Sequence, residues 1–378
     1  MRIGIITQHL GLNYGGLLQN YALQKILIRL GHEVYTINRS DIPEIYISTL
    51  MARLRFSINQ IIKRILVRSS HLLYKEYNRI RKHCIGFVNR NINVTKLFNS
   101  QEDLLRIIDE YKFEGYVVGS DQVWRPCYSL NVYNDFLDFC QDKKNIKRIA
   151  YAASFGVNEW EFDDEKTKEC SRLLKLFDAV SVREDSGMEL CKKYLGVNAA
   201  HVLDPTLLLE KEDYIKLIEQ NKGQESSGDL FCYILDDHEL IENAICDIER
   251  KMSLRAFQVK TKRDDWEHLS WKNLNDYVVP SPIMWLRAFM DAKMVFTDSF
   301  HGCAFSIIFN KPFWVIGNKG RGNARFDSLL KIFDLGNRQI SLEDIDRIDL
   351  NVDIDWDKVN YLKKEWQIKS IDFLKSNL

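Results

Sequence analysis

Thr297-Asp298-Ser299-Phe300-His301-Gly302 follows the run Lys293-Met294-Val295-Phe296 and precedes an apolar segment, 303–309, that suits the opening of a helix. A strand that enters a Ser/His/Gly turn and then a helix aims free backbone N–H groups at whatever lies above the sheet. This stretch decides for an α/β fold with an anion site that carries a histidine. A lone histidine more often hydrogen-bonds its own loop. The strand-to-helix junction, where open α/β sheets bind ligands, favours a functional His301.

Working outward, 378 residues exceed one ordinary core, so two domains are expected. Lys+Arg 53 against Asp+Glu 53 leaves no global field to attract a polyanion, and no nucleic-acid partner is expected. With 46% hydrophobic and 28% charged residues the composition suits a globular protein, and no apolar run approaches the roughly 18 residues of a membrane span. The start, Met1-Arg2-Ile3-Gly4-Ile5-Ile6-Thr7, has no cleavable signal pattern, which points to the cytoplasm. The eight cysteines show neither C-x-x-C pairs nor zinc spacing, so neither disulfides nor a metal is expected.

Residues 2–7 suit a buried strand, 17–30 a helix with Gly31 as its cap, and 33–37 the next strand, a βαβ opening. The intervening loop holds Asn13-Tyr14-Gly15-Gly16, which is not the dinucleotide fingerprint; its glycines permit either a tight turn or close approach to a ligand. Residues 51–90 carry ten Lys and Arg against Glu76 alone, interleaved with apolar residues. Such an amphipathic basic stretch either packs on the domain as a solvated face or lies on anionic lipid headgroups.

Further strand ends follow. Gly119-Ser120-Asp121-Gln122 closes one, where Asp121 and Gln122 bind sugar hydroxyls or cap the turn. Arg183 ends another, placed to grip a carboxylate or phosphate or to pair with Glu184 or Asp185. Asp204-Pro205 turns the chain near an expected boundary, and the strand and helix rhythm restarts after a polar linker at 221–229. The second half closes with a strand at 312–316 and a glycine-rich loop, 317–322, leading to Arg321 and Arg325. The expected architecture is α/β, with two Rossmann-like doubly wound domains. They comprise residues 1–205, with a basic helical insertion at 46–100, and residues 206–378, whose last helix packs back on the first domain.

Asn13-Tyr14-Gly15-Gly16 with Leu18-Gln19 and Tyr21-Ala22-Leu23-Gln24, Val118-Gly119-Ser120-Asp121-Gln122-Val123-Trp124, Ser181-Val182-Arg183-Glu184, Asp204-Pro205-Thr206 and the opening hexapeptide stand in an order that resembles the polysaccharide pyruvyl transferase family. The resemblance implies a GT-B-like pair of Rossmann domains with the donor in the interdomain cleft. It also implies transfer of the pyruvyl group of phosphoenolpyruvate to a saccharide, forming a ketal with release of phosphate.

On this footing His301 is the expected general acid, and Asp121, or Asp298, the base on the acceptor hydroxyl. Arg183, Ser299, Phe300, Gly302 and Arg325 are expected at the donor, and Asn13, Tyr14, Gly15, Gly16, Ser120 and Gln122 at the acceptor. The family motif often has a basic residue where this chain has Ser299, and Arg325 is the candidate to supply that charge. No cofactor beyond the donor is implied. The acceptor implied is a saccharide such as a lipid-linked, galactose-containing repeat unit of a capsule or exopolysaccharide, with 51–90 near the inner face of the membrane. A GT-B glycosyltransferase using a nucleotide sugar, and a non-catalytic saccharide-binding protein, are the alternatives.

Overall fold

Alternating apolar strands and helices wind into two parallel sheets in the computed structural model, which describes residues 1–40, 74–129, 131–221, 224–236, 239–317, 323–341 and 349–378. The first sheet comprises β1 (Arg2–Ile6), β2 (Glu33–Thr36), β3 (Gly115–Val118), β4 (Lys147–Ala153), β5 (Ala179–Val182) and β6 (Ala200–His201) in the order β2-β1-β3-β4-β5-β6. The second holds β7 (Leu230–Tyr233), β8 (Ala256–Phe257), β9 (Met294–Thr297), β10 (Phe313–Ile316) and β11 (Gln339–Ile340) in the order β11-β10-β9-β7-β8. The central strands β3, β9 and β10 are buried at every residue, as a parallel sheet covered on both faces requires.

Strand order reverses between β1 and β3 in the first sheet and between β7 and β9 in the second. Loops at the carboxyl ends of such strand pairs are where ligands bind in doubly wound sheets. The two sheets turn these ends toward each other.

Helix starts follow from local chemistry. Asn13 caps the Tyr14–Arg29 helix, its Oδ1 accepting the Gly16 N–H at 3.1 Å, and Gly31, at φ 91°, lets the chain leave. Ser281 caps the Pro282–Asp291 helix, with proline in its first turn.

One apolar cluster joins both halves, running from Ile3 and Ile5 of β1 through Leu203, Leu207 and Leu209 to Phe289, Val295 and Phe305. Its middle is the 3-10 turn Pro205–Leu208, which packs against three helices: Tyr14–Arg29, Phe300–Ile308 and Trp356–Asn377. The last of these crosses back to the first sheet's side. Its Ser370 hydroxyl accepts the Leu203 N–H at 3.0 Å, and Gln367 donates to the Leu207 carbonyl at 2.9 Å.

Of the basic stretch, 51–73 lies outside the described residues, as does 318–322 with Arg321. From residue 74 the chain forms helices Tyr74–Ile80 and Lys82–Asn91, and it buries Ile80, Cys84, Phe87 and Val88. This part packs on the body of the protein, with Phe87 edge-on to Tyr21 at 6.0 Å and the Ile80 carbonyl accepting the Val279 N–H. Residues 92–98 are not helical as expected: they run beside the end of β2, paired at Thr36↔Val94 and Arg39↔Phe98, because Asn20 and Gln24 of the first helix draw Thr36 and Asn93 together.

Candidate active site

A cavity of about 570 Å³ opens between the two sheets. Four segments from the two reversal points line it: Gln8–Tyr14 after β1, Asp121–Gln122 after β3, the last residue of β7 with the two that follow it, Tyr233–Leu235, and Asp298–His301 after β9. Val259–Thr261 after β8, together with Tyr128, Val279, Pro280 and Arg325, completes the wall. A larger surface hollow of about 810 Å³, among Tyr133, Glu165, Arg172 and Tyr194, lies away from the strand ends of either sheet.

Two helix N-termini meet at the cavity. The Phe300–Ile308 helix starts at Ser299, whose side chain makes no cap bond, so its first-turn amides have no intrahelical acceptor. The Tyr14–Arg29 helix abuts it so closely that a Cβ on Gly15 would lie 2.0 Å from His301 Nδ1. Gly302 is equally constrained, since a Cβ there would meet Thr297 Oγ1 at 2.2 Å. Both positive helix ends therefore face one spot, with an imidazole between them. Gly15→Ala is expected to push the imidazole aside and lower turnover roughly 100-fold with little change in melting temperature, a pairing that steady-state kinetics and a thermal melt on the same sample will check.

Beneath the cavity lies a buried charge cluster. Asp204 accepts from the Arg183 guanidinium at 2.9 Å, the Ser120 hydroxyl at 2.9 Å, and the Thr206 N–H and hydroxyl at 2.9 and 2.7 Å. His301 Nε2 stands 3.8 Å from the same carboxylate, an ion-pair separation rather than a hydrogen bond. Nε2 is buried, which leaves Nδ1, beside Gly15, as the ring nitrogen toward the cavity. Burial alone would raise the Asp204 carboxyl; His301, Arg183 and Thr206 overcome it and hold the group well below the usual carboxylate range.

The expected site residues divide into three sets. Asn13, Tyr14, Asp121, Gln122, Ser299, Phe300, His301 and Arg325 line the cavity. Arg183 and Ser120 sit under its floor instead. The Arg183 guanidinium is bonded through Nη1 to Asp204, 3.5 Å from Asp121 and 4.2 Å over the Phe300 ring, and not paired with Glu184 or Asp185, while Nε and Nη2 are buried without a hydrogen-bond partner among the described residues. Glu184 accepts the Phe155 and Gly156 amides, and Asp185 pairs with Lys331. Gly15, Gly16 and Gly302 contribute by lacking side chains.

The two candidate bases differ. Asp121 takes a left-handed backbone, φ 73°, with its carboxylate held by the Gln122 N–H at 3.0 Å and Asn13 Nδ2 at 3.2 Å, facing the cavity. Asp298 brackets the second reversal point, its two oxygens accepting the Leu235 and Asp236 amides, each at 2.8 Å. Burial pushes Asp298 up to about 6 against those amides. Both line the cavity, Asp298 with its two oxygens spent on closing a loop and Asp121 held by Asn13 and its own turn.

Arg325 places a guanidinium at the cavity wall. Burial and the neighbouring Arg183 lower it to about 10, still charged at neutral pH. Its helix, Ala324–Ile332, is docked on the first domain by the Ser328 hydroxyl, which bonds the Asp185 N–H at 3.0 Å and His201 at 3.2 Å. Sequence reasoning did not single out Asp204 as a site residue, nor His9, Tyr128, Tyr233 or Lys260. For His9 and Tyr233 a signal existed, since His9 follows and Tyr233 ends a strand at a reversal point.

The family model described as polysaccharide pyruvyl transferase matches residues 13–320. No curated protein matches the chain. Among solved structures it is similar to the glycotransferase of kitacinnamycin, with 10% identity, TM-score 0.51, and 100% of this chain and 99% of that one covered. It is also similar to the UDP-GlcNAc 2-epimerase of Methanocaldococcus jannaschii, with 13% identity, TM-score 0.50 and coverage of 98% and 99%. TcCGT1 in complex with UDP gives 10% identity, TM-score 0.50 and coverage of 99% and 98%. These likenesses concern the fold, two Rossmann-like domains in the GT-B arrangement.

Proposed function

The chain belongs to the polysaccharide pyruvyl transferase family, and from that premise we propose that it moves the pyruvyl group of phosphoenolpyruvate onto a saccharide, forming a ketal and releasing phosphate. The observation that supports this most is the meeting of two helix N-termini with His301 and Arg325 at one cavity. Phosphoenolpyruvate brings a carboxylate and a phosphate, and first-turn amides plus a guanidinium suit both.

The chemistry follows from that placement. A proton from His301 Nδ1 to the donor's methylene carbon leaves an oxocarbenium-like centre at the carbon bearing the phosphate. A sugar hydroxyl adds to that centre as its proton passes to Asp121. Asp121 passes that proton to the departing phosphate, the second hydroxyl closes the ketal on the oxocarbenium-like carbon so exposed, and the proton it loses returns to the imidazole. Asp204 beneath the ring stabilises the imidazolium before transfer. The acceptor we propose is a lipid-linked, galactose-containing unit of a capsule or exopolysaccharide.

Incubating the purified chain with phosphoenolpyruvate and a panel of lipid-linked galactosides should release phosphate and add pyruvate mass to one acceptor; neither event with any acceptor defeats the reading. Phosphoenolpyruvate at 100 times its Kd should stabilise the chain by about 2.7 kcal/mol, whereas a nucleotide-sugar enzyme would respond to UDP instead. Arg325→Gln is expected to raise the KM for phosphoenolpyruvate roughly 10- to 100-fold with a smaller change in kcat, measured by initial rates at saturating acceptor.

A further inference from the structure

Beyond β3 the chain makes one 3-10 turn, Pro126–Tyr128, in which the Tyr128 N–H donates to the Arg125 carbonyl at 3.0 Å. Side chains three apart eclipse in such a turn. Arg125 and Tyr128 therefore stack, the guanidinium 5.1 Å from the ring centroid. Tyr128 is 50% exposed and lines the cavity, and no other cation or ring lies over it among the described residues. Arg125 is itself buried, gripped by both oxygens of Glu161 at 3.0 and 3.1 Å.

The same guanidinium sets Gln122. Its Nη1 donates to Gln122 Oε1 at 3.2 Å, and Gly156 packs so close that a Cβ there would lie 2.1 Å from that oxygen. A guanidinium only donates, which fixes the oxygen toward it and leaves the Nε2 donor without a partner among the described residues. The backbone is held as well, with Gln8 donating to the Gln122 carbonyl at 2.8 Å. Gln122 and its neighbour Asp121 share the cavity wall with Tyr128. One anchored arginine thus sets an aromatic face and an amide donor beside a carboxylate.

A pyranose shows C–H bonds on one face, which suit the negative face of an aromatic ring, and hydroxyls at its edge, which suit an amide and a carboxylate. A nucleobase stacks on such a ring too, but the family acts on polysaccharide, which favours the sugar. The cavity has room for it: about 570 Å³ lies in the range that holds a drug-sized ligand, more than phosphoenolpyruvate alone fills. We propose that Tyr128 is the stacking platform for an acceptor pyranose, that Gln122 donates to one of its hydroxyls, and that Arg125, held by Glu161, positions both. The inference rests on the proposed function and deepens it by naming where the saccharide sits, but binding is measured without turnover.

Saturation-transfer NMR on the full chain reads such stacking, with the methyl glycosides of galactose, glucose and N-acetylglucosamine as probes and uridine monophosphate as the competing ring. At least one glycoside should receive saturation chiefly at the C–H protons of one face. Tyr128→Ala should cut that transfer at least about fivefold, and Tyr128→Phe, which keeps the face, by less than about twofold. Tyr128 is half exposed, so both variants should melt as the wild type does. Arg125→Ala should cut the transfer as far as Tyr128→Ala while leaving the thermal stabilisation by phosphoenolpyruvate unchanged, a split that a merely structural loss would not give. No transfer to any glycoside, or transfer that survives Tyr128→Ala, overturns the platform. So does transfer to the uracil protons alone that Tyr128→Ala removes, because the ring would then hold a base. Full transfer in Arg125→Ala overturns the positioning role. If a glycoside stacks as expected and phosphate release fails with every acceptor, the platform stands and the reaction assignment falls; if phosphate is released with an acceptor KM that Tyr128→Ala leaves unmoved, the reaction stands and the platform falls.

Discussion

His301→Ala is expected to lower kcat by roughly 10²- to 10⁴-fold, the range that loss of a positioned general acid produces. The residue is buried between two helix starts, one nitrogen over Asp204 and the other at the cavity beside Gly15. Removing the ring deletes the proton donor and leaves the first-turn amides and Arg325 in place, so donor binding should weaken far less than turnover. Initial rates at saturating phosphoenolpyruvate, with phosphoenolpyruvate-induced thermal stabilisation as the binding measure, separate the two effects. A wild-type kcat in this variant would remove His301 from the chemistry.

The second large effect is on stability. Asp204→Ala takes away the carboxylate bonded to Arg183, Ser120 and Thr206, and it strands a guanidinium that is 3% exposed with only Asp121 at 3.5 Å. Breaking a buried pair from one side costs about 3–5 kcal/mol, and a denaturant midpoint lowered at unchanged slope is the expected signature. Asp204→Asn keeps the volume and part of the hydrogen bonding, so it should cost less stability. It should still lower kcat by removing the charge under the imidazole.

The pH dependence of that contribution has a definite sign. The folded carboxyl is held below its unfolded value. Its stabilisation is therefore fully present above about pH 4 and is lost as pH falls further toward the folded value. Acid unfolding of the wild type should be steeper than that of Asp204→Asn below about pH 4, as circular dichroism across that range will show.

Much of the site was legible because its chemistry is written at strand ends. The alternation of apolar runs with helices located β1, β3, β9 and β10, and the loops that follow them hold Asn13, Asp121, Gln122, Ser299 and His301 at the cavity. Short edge strands were harder to bound: β11 pairs over only two residues, and the strand that Asp204-Pro205 was expected to end stops at His201, before a 3-10 turn. Ser120 and Arg183 were in the right neighbourhood at the wrong depth. Whether a side chain at a strand end points into the cavity or under its floor depends on its partner. The partner of both, Asp204, is brought to them by the pairing of β3 through β6, which local sequence does not express. The same long-range closure hid the contact of Asp204 with His301.

The turn Pro205–Leu208 also limits how the protein can move. GT-B-type clefts invite the picture of two lobes swinging on a flexible joint. Here the joint is buried, with Leu207 fully enclosed, Tyr214 donating to the Thr206 carbonyl at 2.9 Å, and the terminal helix bonded across it. A swing of the lobes would have to break these contacts, so substrate access is expected through the surface loops around the mouth. The two halves also depend on each other for their interior, so a chain cut at the crossover would expose apolar surface from both.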